Sequence, residues 1–140
     1  DPTAPKTLEY GGRFQHPVGK GELAIFYHHR TADPNRTAPA LIFAGTVPEN
    51  RFAIDGKWDV GVGLWFETSY IRKSEPVENI TNQTLLNVGT DYTFGVGNGL
   101  GVTFEHLFFN LNEKAFVFNQ NFNVSALNLN YPLSFYDRLS

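Results

Sequence analysis

Cysteine is missing from all 140 residues, which excludes disulfide staples and thiolate metal sites and leaves the redox compartment open. Methionine is missing too, and the chain opens Asp1-Pro2, so it reads as a mature or internal piece rather than a primary translation product. Long hydrophobic runs are also lacking. No purely apolar run exceeds five residues (Leu23 to Tyr27, Ala40 to Ala44), which excludes a transmembrane helix and a signal-peptide core. A closed barrel, by contrast, crosses a bilayer with alternating hydrophobicity and needs no such run. Basic charge is scarce: a net charge of -3 and a pI near 5.8 provide no footprint for nucleic acid. The length suits a single domain, residues 1–140.

What the chain does have is 13 Phe, 6 Tyr and 13 Gly at a mean hydropathy of only -0.27. Aromatic and glycine enrichment without overall greasiness suits alternating strands. The clearest case is Arg51 to Tyr70, RFAIDGKWDVGVGLWFETSY. After Asp55-Gly56, the residues Trp58, Val60, Val62, Leu64 and Phe66 are apolar, and Lys57, Asp59, Gly61, Gly63 and Glu67 between them are charged or lack a side chain. Only Trp65 breaks the pattern. A period of two predicts one strand with an apolar and a polar face. A helix would place Gly61 and Gly63 in its interior at roughly 1 kcal/mol each against alanine. Trp58 and Phe66, eight positions apart on this strand, would be separated by roughly 20 Å of depth at a tilt near 40°.

Taken in order, Thr7 to Val18 and Glu22 to Thr31 read as strands around the turn Gly19-Lys20-Gly21, and Ala32 to Pro39 as a long connection. Ala40 to Ile54 is extended but interrupted at Pro48-Glu49-Asn50. Asp55-Gly56 is the strongest hairpin signal. Lys73 to Asn82 reads as a polar loop, and Gln83 to Val96 as a strand. Gly97-Asn98-Gly99 turns the chain into a strand from Leu100, and Asn112-Glu113-Lys114 forms the next loop. Ala115 to Tyr131 is a last long strand whose apolar phase switches near Leu127, as a bulge would cause. Ser134 to Ser140 begins an eighth. The connections therefore alternate short and long, the pattern of an outer-membrane barrel with short periplasmic turns and longer outer loops.

The hairpins RFAIDGKWDVGVGLWFE, LLNVGTDYTFGVGNGLGVTFEH and NFNVSALNLNYPLSFYDR resemble those of bacterial outer-membrane β-barrel proteins of the porin-like kind. That resemblance implies an all-β, antiparallel up-and-down transmembrane β-barrel of about eight visible strands, or a segment of a larger one, located in the bacterial outer membrane. It identifies an architecture and brings no substrate signature; the function expected first is a passive channel for small polar solutes, with the lipid bilayer as its partner and no cofactor. One departure is that such barrels end on a terminal aromatic, whereas this sequence ends Arg138-Leu139-Ser140.

In such a barrel the inward set is Arg13, Lys57, Asp59, Glu67, Asp91 and Glu105, with Asn119, Asn121, Asn123 and Ser125, either lining a channel or filling a narrow lumen. His28 and His29 are adjacent on a strand and point to opposite faces, so they do not share a metal. His16 and His106 lack partners at ligand spacing, and no metal site is expected. Ser69, Ser125 and the histidines form no motif that fixes a nucleophile on a base, so no enzyme is expected. Two rival readings are a plugged barrel with a structural or surface-recognition role, and a soluble lipocalin-type barrel with its apolar face inward around a ligand.

Overall fold

The computed structural model describes residues 2–34, 45–77, 80–112, 120–133 and 138–139. They contain no α-helix. Strands β1 (Tyr10–Val18), β2 (Gly21–Ala32), β3 (Val47–Asp59), β4 (Gly63–Val77), β5 (Ile80–Phe94), β6 (Leu100–Asn112) and β7 (Gln120–Pro132) form one antiparallel up-and-down sheet. A short β8 (Arg138–Leu139) pairs with the end of β7 through Tyr131↔Leu139 and Pro132↔Arg138. Neighbours in sequence are neighbours in the sheet throughout. The sheet is not closed: among the described residues, no strand pairs with the outer side of β1 or with most of the outer side of β7.

The hairpin expected at Asp55-Gly56 lies elsewhere. Both residues stay in β3, where Asp55 pairs with Ala24 and Glu67, and Gly56 with Leu23 and Phe66. The chain reverses over Val60 to Val62. There the Gly61 N–H donates to Asp59 Oδ1 at 3.2 Å, an Asx turn, and Gly61 has φ 91, which a side chain would strain. An aspartate two residues before a glycine competes with the Asp-Gly pair and wins, because Gly56 is held extended by partners on both sides and covered by the Trp58 ring. The expected single strand through Trp58 and Phe66 is therefore two strands. Their rings are stacked neighbours with centroids 6.0 Å apart instead of marking opposite ends of a span.

A second correction concerns Lys73 to Asn82. Instead of a long polar loop, β4 continues to Val77 and β5 starts at Ile80, with a register shift between Arg72 and Val77. Backbone pairing holds this hairpin even though its side chains show no period-two pattern. Strict alternation of short and long connections is lost with it. The anticipated bulge in the last strand is absent as well: β6 and β7 pair in uninterrupted register from Gly101↔Asn130 to Leu111↔Gln120. Residues 35–39 of the long connection, 40–44 of the expected strand, 113–119 and 134–137 lie outside the described residues. The turns at Gly19-Lys20 and Gly97 to Gly99 fall where the sequence places them.

The hairpin ends step along the sheet. Val18, Gly21, Trp58, Leu64 and Thr90 lie on one line of cross-strand partners. The β1–β2 hairpin closes on that line, the β3–β4 hairpin one residue beyond it at Asp59↔Gly63, and the β5–β6 hairpin four residues beyond it at Phe94↔Leu100. Four residues at about 3.3 Å over four strand spacings of about 4.8 Å correspond to a strand tilt of roughly 35° if these turns share a plane.

Among the described residues the buried apolar side chains are few and small: Ala4, Ala24, Ala32, Pro34, Val47 and Val77. The surface is correspondingly large, 9670 Å² against about 7,300 Å² expected for a compact monomer of this mass. Burial concentrates at the end opposite the short turns, where the N-terminal segment pairs back on β2 (Ala4 N–H to Thr31 O, 2.8 Å; Asp33 N–H to Pro2 O, 2.8 Å). Thr3 donates to Glu9 at 3.0 Å, and the His28 ring lies 2.8 Å from the same carboxylate. The Thr3 hydrogen bond foremost, with His28 adding, holds the Glu9 carboxyl below the usual carboxylate range. In the same region Glu49, 2% exposed, binds Arg30 Nε at 2.5 Å and Arg51 Nη2 at 2.6 Å. Removing one partner of a buried ion cluster strands the others. Glu49→Gln is expected to lower stability by about 3–5 kcal/mol, read as an earlier urea midpoint with unchanged slope.

Candidate functional site: the two faces of the sheet

Because side chains alternate along each strand and pair across it, the register assigns every strand residue to a face. One face is apolar. Phe14, Ile25, Ile54, Thr68, Leu86 and Phe108 lie on one line across β1 to β6, and Leu23, Phe66, Val88 and His106 on the next towards the short turns. Among the described residues no second layer packs on this face. Phe14 is 67% exposed, Leu127 64% and even the central Leu86 37%, and Ile25, Ile54, Leu64, Val88 and Phe104 are exposed with them. Scattered exposed apolar residues are ordinary, but a contiguous apolar face across seven strands is not.

Aromatic residues bound this face at both ends. Near the short turns are Trp58, whose indole N–H donates to Val18 O at 3.0 Å, and the T-shaped pair Tyr92 and Phe94 with centroids 4.7 Å apart. Towards the other end Tyr27, Phe52 and Tyr70 share a line, and beyond it the side chains become polar. Tyr27 and Tyr70 aim their hydroxyls out of the apolar zone, donating to Asn50 at 2.9 Å and Asn82 at 2.6 Å. Along β5 the apolar positions run from Phe94 to Leu86, about 26 Å of strand and roughly 20 Å of depth at a tilt of 35–45°. The sequence reading missed this boundary, whose signal is an aromatic two residues from a polar side chain at the end of each run: Tyr27 before His29, Phe52 after Asn50 and Tyr70 before Arg72.

The other face carries the charge. Arg13, Lys57, Asp59, Glu67, Asp91 and Glu105, six of the expected inward set, all lie on it. Asn121 does not: it pairs with Asn110 on the apolar-face side and hydrogen-bonds it at 2.6 Å, and Asn123 and Ser125 follow it there. Without a bulge, the register instead puts Phe122 and Val124 on the charged face, opposite Phe109 and Leu107. Asn119 lies outside the described residues. Ser125 Oγ and His106 Nδ1 are 2.8 Å apart, but among the described residues no group holds the other ring nitrogen. No three His, Asp or Glu side chains converge on a metal-sized point among those residues.

On the charged face Arg13 pairs with Asp55 at 2.9 Å and Lys57 with Glu22 at 3.1 Å. Among the described residues no ion pair engages Asp59, Glu67, Asp91 or Glu105, so this half carries uncompensated negative charge. Two cavities open here, about 460 Å³ lined by Asp59, Gly61, Gly63, Asp91, Tyr92 and Thr93, and about 300 Å³ lined by Arg13, Asp55, Lys57, Trp65 and Glu67 with Gly56 and Phe66. Trp65, the residue that breaks the alternation, sits among the charges. Its indole lies across the position that a side chain at Gly89 would occupy. No family model, no curated protein and no solved structure matches this chain.

The Trp65–Gly89 contact makes a direct prediction. A side chain at residue 89 collides with the indole, so Gly89→Val is expected to destabilise by about 1–3 kcal/mol through overpacking and to shift tryptophan emission. Gly63→Ala meets only the flexible Asp91 carboxylate and serves as the tolerated control in the same urea titration.

Proposed function

We propose that this sheet is part of a membrane-embedded β-barrel of the bacterial outer membrane, with its apolar face against lipid and its charged face on an aqueous lumen that passes small polar solutes. One observation carries the reading: an exposed apolar face across seven strands, bounded at both ends by aromatic residues and backed by a charged face. In water such a face is a liability. In hydrocarbon it is the required surface, and aromatics at the interfaces are what such barrels present. The roughly 35° stagger of the hairpins agrees with the tilt of barrel strands. Both cavities open on the charged side, which fits solute on that face and speaks against a lipocalin-type barrel with its apolar face inward. In a bilayer the outer sides of β1 and β7 must acquire strand neighbours, since unpaired backbone N–H groups in hydrocarbon cost several kcal/mol each.

A second reading, a plugged barrel with a structural or surface-recognition role, is favoured by one feature. Leu107, Phe109, Phe122 and Val124 form an apolar patch on the otherwise charged face, with Phe122 and Val124 exposed. A segment packed on that patch would close the lumen.

The test is reconstitution into planar bilayers. An open channel yields stepwise current with a cation preference, because Asp59, Glu67, Asp91 and Glu105 carry unbalanced charge, and Asp59→Asn combined with Asp91→Asn is expected to shift the reversal potential towards that of a non-selective pore. Stable insertion without current points to the plugged form. Val88→Arg, nearer the middle of the apolar run of β5 from Phe94 to Leu86, is expected to reduce folding stability in lipid vesicles by about 2–4 kcal/mol. Unchanged stability there, or a protein soluble and monomeric without detergent, sinks the membrane assignment.

A further inference from the structure

We propose that the cavity at Trp65 is a binding station for a neutral carbohydrate ring, an inference that rests on the aqueous-lumen reading and names the class of solute the lumen takes. Trp65 is the one aromatic that breaks the polar phase of its strand, and it faces charged neighbours instead of the apolar side. It is half-buried, set across the bare backbone of Gly89, where any side chain at that position would displace it. The indole is thus held in place by the strand beneath it and stands half-exposed among charged side chains.

The rest of the lining says what fits beside it. Arg13 and Lys57 supply N–H donors and Asp55 and Glu67 supply acceptors, so a ligand with both hydrogen-bond donors and acceptors finds partners of each kind. Arg13 is engaged by Asp55 and Lys57 by Glu22, yet their side chains remain 51% and 73% exposed and retain further donors. A purely apolar ligand would strip water from four charged groups without replacing it. A sugar ring suits both the charged groups and the indole. Its hydroxyls donate to the carboxylates and accept from the cations, and its polarised C–H groups lie against the negative face of the indole. The cavity volume of about 300 Å³ is at the lower end of ligand sites, so the station holds one ring and not an extended chain. The competing account is that Trp65 only shields Gly89, as aromatics do for glycines in sheets.

The experiment uses the full chain in detergent with the Trp58→Phe substitution, which leaves Trp65 as the sole indole of the two. Titration with glucose is expected to produce a saturable change in Trp65 emission. Glu67→Gln, which removes one charged hydrogen bond, is expected to weaken it about tenfold. Calorimetry of the wild type against Trp65→Leu reads the same binding if the fluorescence variant does not refold. A flat response to glucose overturns the proposal and leaves Trp65 as a shield for Gly89. A response of equal strength to choline overturns the neutral-sugar assignment in favour of an organic cation. Bilayer conductance separates this from the channel reading: current without glucose binding overturns the station alone, and glucose binding without current overturns the channel while the station stands.

Discussion

Backbone pairing holds this molecule together in place of a hydrophobic interior. Seven strands are joined edge to edge with almost continuous register, while among the described residues the buried apolar side chains are three alanines, two valines and Pro34. A single sheet in water obtains little stabilisation from burial, and its ladder exchanges protein–water hydrogen bonds for protein–protein ones at a net gain of only about 1 kcal/mol each. The balance changes in an apolar medium. There each unpaired amide costs several kcal/mol, so the same ladder becomes obligatory, and the side chains facing outward no longer need a second layer. On the proposed reading the exposed apolar face and the sparse core are two aspects of one requirement on the surroundings.

The same requirement explains how the two ends differ. At the short-turn end the strands close in tight turns and the charged face carries carboxylates without ion-pair partners. At the other end the chain folds back on itself, with the N-terminal segment along β2 and Glu49 between two arginines. Tyr27, Tyr70 and their asparagine partners mark where the apolar face stops. Beyond that line a polar side chain can be hydrogen-bonded on either face, so Asn110 and Asn112 are buried and bonded to each other at 2.8 Å on the face that is apolar further down.

The sequence showed the strands and most faces, because period-two alternation depends only on local geometry. Leu86, Val88, Phe104 and Leu64 were recognisable as one apolar surface, and Arg13, Lys57, Asp59, Glu67, Asp91 and Glu105 as sharing the other. What could not be read locally was pairing. Asp55-Gly56 has the composition of a turn, but β2 and β4 hold it extended, and the weaker-looking Asp59-Val60-Gly61 makes the Asx turn instead. The faces of β7 were misassigned for a related reason. Phe122, Val124, Leu127 and Leu129 suggest a slipped phase, whereas an unbroken register distributes them over both faces, and Asn121 moves with it. Trp65 was visible only as an exception to the alternation, and its significance depended on Gly89, 24 positions away in sequence and directly opposite in the sheet.

The misread segment from Lys73 to Asn82 follows from the stagger of the hairpins. A strand as long as β4, 15 residues at about 3.3 Å each and tilted by roughly 35°, rises about 40 Å, whereas the apolar band of a membrane barrel is about 25 Å tall. On the proposed membrane reading about 15 Å would stand in water, equivalent to five or six residues of strand. Over that length neither face has a reason to be apolar, so the period-two signal fades while the strand stays extended, its ladder to β5 breaking after Arg72↔Asn82 and resuming at Val77↔Ile80. Charged and amide side chains, a proline and a register shift are all tolerated there. In composition such a stretch looks like a loop, and only the hydrogen bonds distinguish it from one. In the proposed barrel the polar ends of β4 and β5 are what long tilted strands produce when they outrun an apolar layer, which would tie the segment that looked least like a strand to the same geometry that sets the tilt.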